Sequence, residues 1–170
     1  MICKQRSGKT MWDDQAMKAT VQKVTSDTVQ IVQPLIRAYC DFYGVAPSDT
    51  ALLRLSEHLV NEPSEGIQLI ARSEGGNGEA LGFATVFWTW STLSASRIGV
   101  MNDLFVAPAH RGVGVAELLI DSCCDACRDH GATHLTWQTA LDNIRAQSVY
   151  DRVGGLREQW LDYSLEVSPR

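Results

Sequence analysis

Apolar positions recur along this chain in two rhythms, one near 3.6 residues and one of two, with turn-forming residues between the runs. Residues 19–25 alternate, with Val21, Lys23 and Thr25 against Gln22 and Val24, as a first strand. Ser26 or Asp27 then stands where a helix cap belongs, ahead of a stripe of Val29, Val32, Leu35, Ile36, Tyr39, Cys40 and Tyr43 that Gly44 breaks. Pro34 lies inside that stripe and predicts a kink or a late helix start. Ser48 or Asp49 caps a second helix through Leu52, Leu53, Leu55, Leu59 and Val60, closed off by Pro63 and Gly66. Residues 67–71 read as a second strand, and Glu74-Gly75-Gly76-Asn77-Gly78-Glu79 as a hairpin turn tolerant of positive φ. The next run, 80–90, is apolar at nearly every position, which suits a central strand covered on both faces. Trp88 and Trp90 share one side of it.

A fourth strand over 98–106 ends at Pro108, two glycines bracket Val113, and a helical pattern starts at once with Val115, Leu118, Leu119 and Ala126. That helix runs to His130, and Gly131 occupies its C-terminal cap position. A fifth strand follows over 133–139, then a helix capped by Asp142 or Asn143 and ended by Gly154-Gly155. Residues 156–167 alternate around Leu161, Tyr163, Leu165 and Val167 as a closing strand. Residues 1–17 carry few apolar positions and no period, so they read as a loose arm with Trp12 as its one anchor, and 18–170 as a single domain. The elements sum to an α/β (α+β) fold: a mixed, largely antiparallel sheet of six to seven strands with helices on both faces.

The strand, turn and helix around Gly112 and Gly114 have a physical use. Glycine lets backbone come close to a ligand, and a helix start offers unpaired N–H groups and a positive dipole end, so the turn suits a phosphate or pyrophosphate. Arg111-Gly112-Val113-Gly114-Val115-Ala116 lacks the third glycine of a dinucleotide fingerprint and the Gly-Lys-Ser/Thr of a P-loop. Fifteen basic against 20 acidic residues give a formal charge of -5. No basic block is interleaved with aromatics, so no nucleic-acid partner is expected, and a cationic ligand is steered better than an anionic one. No apolar run is long enough to cross a membrane and no signal-peptide pattern opens the chain, from which a cytoplasmic protein is expected. Five cysteines include Cys124 and Cys127 as a Cys-x-x-Cys beside Cys123, without the second ligand pair of a metal site; no metal is expected, and packing is the favoured role.

Three stretches in order resemble the GNAT family of N-acetyltransferases. Arg111 to Ala116 fits its Arg/Gln-x-x-Gly-x-Gly/Ala turn, and Asn102-Asp103-Leu104-Phe105-Val106-x-Pro108 is similar to its acetyl-CoA strand. Asn143-x-x-Ala146-x-x-Val149-Tyr150-x-x-x-Gly154 is similar to its second cofactor helix. The resemblance is specific from about residue 82 to 165, nearest in look to the diamine-type enzymes that acetylate small amines. It implies that acetyl-CoA is the co-substrate, held by Arg111, Gly112, Val113, Gly114, Val115 and Ala116 at the pyrophosphate and by Leu104, Phe105 and Val106 along the pantetheine arm. Asn143, Ala146 and Tyr150 would support the arm from one helical face. It further implies a homodimer among the assemblies open to the chain, which the apolar face of 161–167 would allow.

Acetyl transfer to an amine by direct attack in a ternary complex needs a polarised carbonyl, a neutral amine and a proton for the leaving thiolate. A main-chain N–H of the fourth strand is the resemblance's donor to the thioester oxygen. Tyr150 is the expected acid, since a phenol with a reference pKa near ~10 can donate to a thiolate whose thiol lies near ~8.5. The base is the departure: the diamine-type enzymes place a glutamate just before the strand's aspartate, and here that position is Asn102. Asp103 is the nearest carboxylate, although its side chain belongs on the opposite sheet face from Leu104 unless a bulge intervenes. Asn102, Asp103 and Trp88 are the expected substrate contacts, Trp88 as an aromatic wall for a cation, with sheet packing as its competing role. Phe42, Tyr43 and Glu62 border the same region in the family, yet an aromatic on a helical stripe is more often core. A small amine is the expected acceptor; a protein or peptide amine, or a non-catalytic acyl-CoA sensor, are the alternatives.

Overall fold

The structure is a computed structural model that describes residues 18–74 and 78–167. The expected arm over 1–17 and the tip of the 74–79 hairpin lie outside the described residues. The chain divides into two compact units, Met1–Gln138 and Thr139–Arg170.

In the first unit, five strands stand in sequence order: β1 (Ala19–Lys23), β2 (Gly66–Ser73), β3 (Ala80–Ser91), β4 (Ser96–Val106) and β5 (His134–Thr136). The first four pair antiparallel and β5 joins β4 in parallel. β2 to β4 form where the chain is most continuously apolar, and Leu81, Phe83, Ala84 and Val86 of β3 are almost wholly removed from water, as a central strand requires. Helices α1 (Val29–Phe42) and α2 (Asp49–Asn61) cover one face and α3 (Val115–Asp129) the other. The core under α1 joins Val32, Leu35 and Ile36 to Ile70, Phe83 and Phe105.

Local chemistry sets the helix ends. Ser48 caps α2 as expected, its side chain accepting from the Ala51 N–H at 3.2 Å. At α1 the cap is Thr28 rather than Ser26 or Asp27, and its hydroxyl turns back to accept from the Thr25 N–H at 2.8 Å. Pro34 sits inside α1, which starts before it and runs on past it. His130 ends α3, with Gly131 at φ 71° behind it.

Two expectations about strands are corrected. Among the described residues the sheet has five strands, not six to seven. Residues 156–167 keep the alternation of a strand but belong to no ladder among the described residues, and Leu161, Tyr163 and Leu165 are more than 80% exposed. Period-2 patterning makes a segment competent to be a strand; only a partner's hydrogen bonds make it one. The fifth strand is likewise shorter than 133–139, because its pairing with β4 lasts only from Ile98↔His134 to Val100↔Thr136.

The second unit carries α4 (Ile144–Arg152). Asn143 caps it, its side-chain oxygen accepting from the Ala146 N–H at 3.2 Å, and Gly154 at φ 85° closes it. Arg157 folds back onto Asp151 through Nε at 3.0 Å, which holds the Asp151 carboxyl below the usual range.

Candidate active site

The β3–β4 register contains one irregularity, and it falls at the candidate site. Thr85 pairs with Asp103 and Val86 with Met101, so Asn102 is an extra residue on β4. A bulge of this kind bends its strand and re-aims the neighbouring side chain. Met101 and Leu104, opposite Val86 and Ala84, lie on the α3 face, while Asp103 and Phe105, opposite Thr85 and Phe83, lie on the face covered by α1. The strand's only carboxylate is thereby turned under α1.

There Asp103 meets a set of donors. Asn102 Nδ2 donates to Asp103 Oδ1 at 3.1 Å, and the hydroxyls of Thr85 and Tyr39 also hydrogen-bond to the carboxylate. Each of these favours the charged form, but removal from water opposes it and dominates, so the Asp103 carboxyl is held above the ordinary carboxylate range. Tyr39 is pushed up as well, by burial first and then by the Asp103 charge, and its hydroxyl keeps its proton as a donor. Its ring stands edge-on to Tyr43 at 4.9 Å, Phe83 at 5.8 Å and Phe105 at 6.1 Å. Phe42 packs edge-on against Tyr43 at 5.1 Å, and both are more than half exposed at the end of α1. A half-buried carboxylate that holds a proton more tightly than usual, reached past an exposed aromatic edge, suits a cationic amine and removal of its proton.

Beyond the bulge, β4 runs on to Val106, six residues past its last pairing with β5 at Val100. The two strands therefore part company along 101–106, which include Leu104, Phe105 and Val106. At the end of β4 a short 3₁₀ turn, Pro108–His110, leads to the glycines. Gly112 has φ 83° and Gly114, the N-cap of α3, has φ 91°, and a Cβ built on either would meet no protein atom within 4 Å. Glycine is required here by conformation, not by crowding, and the space before the helix start is open. No side chain caps α3 at Gly114, which leaves its first-turn N–H groups as the site's natural anion donors. Val113 is exposed in this turn, whereas Val115 is buried and Ala116 half-buried in the first turn of α3. Arg111, expected as a charge partner for the ligand, directs its Nε to the Val106 carbonyl at 2.8 Å and lays its guanidinium 5.6 Å from the Phe105 ring centre, bracing the turn onto the strand.

Trp88 is not brought to Asp103. It faces α3, where its ring stacks on His130 at 4.3 Å and its Nε1 donates to the Pro63 carbonyl at 3.1 Å. Arg97 donates to His130 Nε2 at 2.6 Å, and burial first and then the Arg97 charge keep that imidazole below its ordinary pKa. Glu62 is the C-cap of α2. Cys123 and Cys127 lie on the buried face of α3, and burial pushes both thiols up, Cys127 to about 11, so neither is an activated nucleophile. No cluster of metal-ligating side chains occurs among the described residues. Tyr39 and Thr85 are the partners of Asp103 that pattern reading passed over. Both sit where the pattern calls for core, and the irregularity that joins them to a carboxylate spans one residue.

In the second unit, Asn143, Ala146 and Tyr150 fall on one face of α4, and the carboxamide oxygen of Asn143 is engaged as the helix cap.

Comparison with known proteins gives a consistent picture. The family model described as Acetyltransferase (GNAT) family matches residues 32–155. The uncharacterized N-acetyltransferase YhfO of Bacillus subtilis (strain 168) is 37% identical over 134 residues, covering 78% of this chain and 86% of that protein. Streptothricin acetyltransferase of Streptomyces lavendulae is 35% identical over 81 residues, covering 47% of this chain and 40% of that protein. Among solved structures, a probable acetyltransferase superposes with a TM-score of 0.74 at 25% identity, over 89% of this chain and 99% of that one. An aminoglycoside N-acetyltransferase in complex with CoA shares the fold at a TM-score of 0.75 and 19% identity, over 87% of this chain and 94% of that one.

Proposed function

The chain belongs to the GNAT family of acetyltransferases and is an N-acetyltransferase that uses acetyl-CoA, and from that premise we propose that it acetylates the primary amine of a small cationic molecule by direct attack in a ternary complex. The observation that carries this reading is the bulge at Asn102, which sets Asp103 under α1 among Thr85, Tyr39 and Asn102, next to the stretch of β4 that β5 leaves uncovered. Asp103 attracts the ammonium and accepts its proton, and the amine nitrogen then attacks the thioester carbonyl carbon. A β4 main-chain N–H within 101–106 holds the oxygen on which charge develops. Tyr150 gives its proton to the departing thiolate as the carbon–sulfur bond breaks. Backbone N–H groups from Gly112 to Ala116 take the pyrophosphate, Leu104 to Val106 run along the pantetheine arm, and Asn143 and Ala146 support it. We treat 18–170 as one acetyltransferase domain, because the family match runs from the first unit into the second.

A small, amine-rich acceptor is favoured by the formal charge of -5, by the aromatic edge of Tyr39, Phe42 and Tyr43, and by the partial likeness to an enzyme named for streptothricin. The test is thiol release from acetyl-CoA against streptothricin, aminoglycosides, polyamines, free amino acids and short peptides, with a no-acceptor control. Release that depends on a small polycationic amine supports the reading. Release only with peptides moves the acceptor to protein, and acetyl-CoA binding without release across the panel moves the chain to a sensor.

The pyrophosphate assignment makes a separate prediction. A β-branched side chain at φ 91° is strained by roughly 1–3 kcal/mol, and its Cβ would project into the opening before α3. Gly114→Val is expected to weaken acetyl-CoA binding by roughly 10-fold or more, on the scale of 1.4 kcal/mol per tenfold, and Gly114→Ala by less. Calorimetric titration with acetyl-CoA checks it, and unchanged affinity in a folded Gly114→Val protein would move the pyrophosphate elsewhere.

A further inference from the structure

On the face of the sheet beneath α1 and α2, one polar row lies between two rows of apolar or glycine residues. Ile70, Phe83 and Phe105 stand opposite one another across β2, β3 and β4, and on the other side Gly66, Phe87 and Val100 do the same. Between them Gln68 stands opposite Thr85, and Thr85 opposite Asp103. Continued without the bulge, the register of Val86 with Met101 would set Asn102 opposite Thr85, so the extra residue is what completes this polar row.

The row has a direction. Gln68 is 4% exposed and Thr85 0%, which leaves bulk water no part in orienting them. Gln68 Nε2 donates to Thr85 Oγ1 at 3.3 Å, and an amide nitrogen can only donate. The threonine oxygen is thereby occupied as an acceptor, and its single proton is left for the carboxylate on its other side, where Thr85 hydrogen-bonds to Asp103. The other end of the glutamine amide, Oε1, is buried and accepts no hydrogen bond among the described residues. An apolar side chain would fill this position without burying an unmatched oxygen, so the donor end of the amide is the feature that distinguishes a glutamine here.

We infer that Gln68 and Thr85 are a positioning pair for Asp103, the amide fixing the threonine hydroxyl so that its proton points at the carboxylate. The inference rests on the reading of Asp103 as the proton acceptor. Neither residue touches the reacting atoms; both act through Asp103. The groups facing the carboxylate are Thr85 from β3, Asn102 from β4 and Tyr39 from α1, with Tyr43 bonded behind Tyr39. The two tyrosines are the titratable ones among them, and among the described residues no charged side chain contributes.

The experiment is a ¹³C NMR titration of the Asp103 side-chain carboxyl, assigned by difference from Asp103→Asn, alongside the pH profile of kcat/KM with an acceptor that turns over. Thr85→Val keeps the side-chain shape and removes the donor. Its Asp103 midpoint is expected to rise by roughly 1 pH unit, the scale of one hydrogen bond to a charged group, with the acidic limb of the profile moving alongside. Thr85→Ser restores both. Gln68→Leu frees the hydroxyl to turn away and moves the midpoint upward by a smaller step; should Thr85→Val fail to fold, this variant carries the test. Acetyl-CoA affinity stays at the wild-type value in all three. An unmoved midpoint in Thr85→Val overturns the pair, and an unmoved midpoint in Gln68→Leu overturns the part given to the glutamine. Turnover retained by Asp103→Asn overturns instead the reading of Asp103 as the base, while the NMR midpoints still decide the pair.

Discussion

Replacement of Asp103 by asparagine is expected to lower kcat/KM for the amine by about 10²–10⁴-fold, the range of a lost general base, and at the same time to raise the thermal midpoint at neutral pH. The two effects have one cause. Asparagine keeps an oxygen to accept from Thr85 and Tyr39 but takes no proton from an ammonium. For stability the sign follows from linkage. Burial raises the native carboxyl above its unfolded value, so the folded state binds the proton more tightly than the unfolded one. Below the unfolded pKa both states are protonated and the site carries no penalty. As pH rises from the unfolded pKa to the native one, the unfolded carboxyl ionises first and the fold loses stability, and the penalty is complete above the native pKa. The stabilisation of Asp103→Asn over the wild type should therefore be absent in strong acid and reach its plateau at neutral pH. Melting curves at three or four pH values, with kinetics at the same points, check both halves. An inactive variant with no gain at neutral pH would mean that Asp103 is not held against its own charge; an active one would move the base to another group.

How much of this could be read before folding depends on whether a feature is carried by period or by a single residue. The rhythm of 3.6 and 2 is redundant over ten or more positions, which is why β2, β3, β4, α2 and α3 stand close to where the pattern places them. The glycine turn was legible for another reason: Gly112 and Gly114 both hold positive φ at a strand-to-helix junction, a demand few residues meet. The setting of Asp103 was not legible, because it turns on one unpaired residue, Asn102, and no propensity announces a bulge. Gln68, Thr85 and Tyr39 each fit a strand or stripe pattern, and only the register reveals that they converge. Residues 156–167 mark the opposite limit: their alternation is clear and the ladder that would make them a strand is absent among the described residues. Trp88 shows why residue type alone misleads, since an aromatic suited to a cation is held by His130 and the Pro63 carbonyl on the far face.

Tyr150→Phe is the second large effect expected, and it separates catalysis from binding. The substitution removes one oxygen from a helix whose ends are fixed independently of it, by the Asn143 cap at one terminus and Gly154 at the other. The fold of α4 should therefore survive, and with it the support proposed for the co-substrate from Asn143 and Ala146. If Tyr150 is the acid, kcat falls by about 10²–10⁴-fold, while the dissociation constant for acetyl-CoA changes by less than about 3-fold, well under 1 kcal/mol. The interaction is made only as the thiolate leaves, so it should appear in kcat and kcat/KM alike and leave no trace in ground-state affinity. Equal losses in affinity and turnover would recast the hydroxyl as a binding contact. Unchanged turnover would send the proton to the thiolate by another route, and the β4 main chain, with Asp103 beside it, would then carry the chemistry without α4.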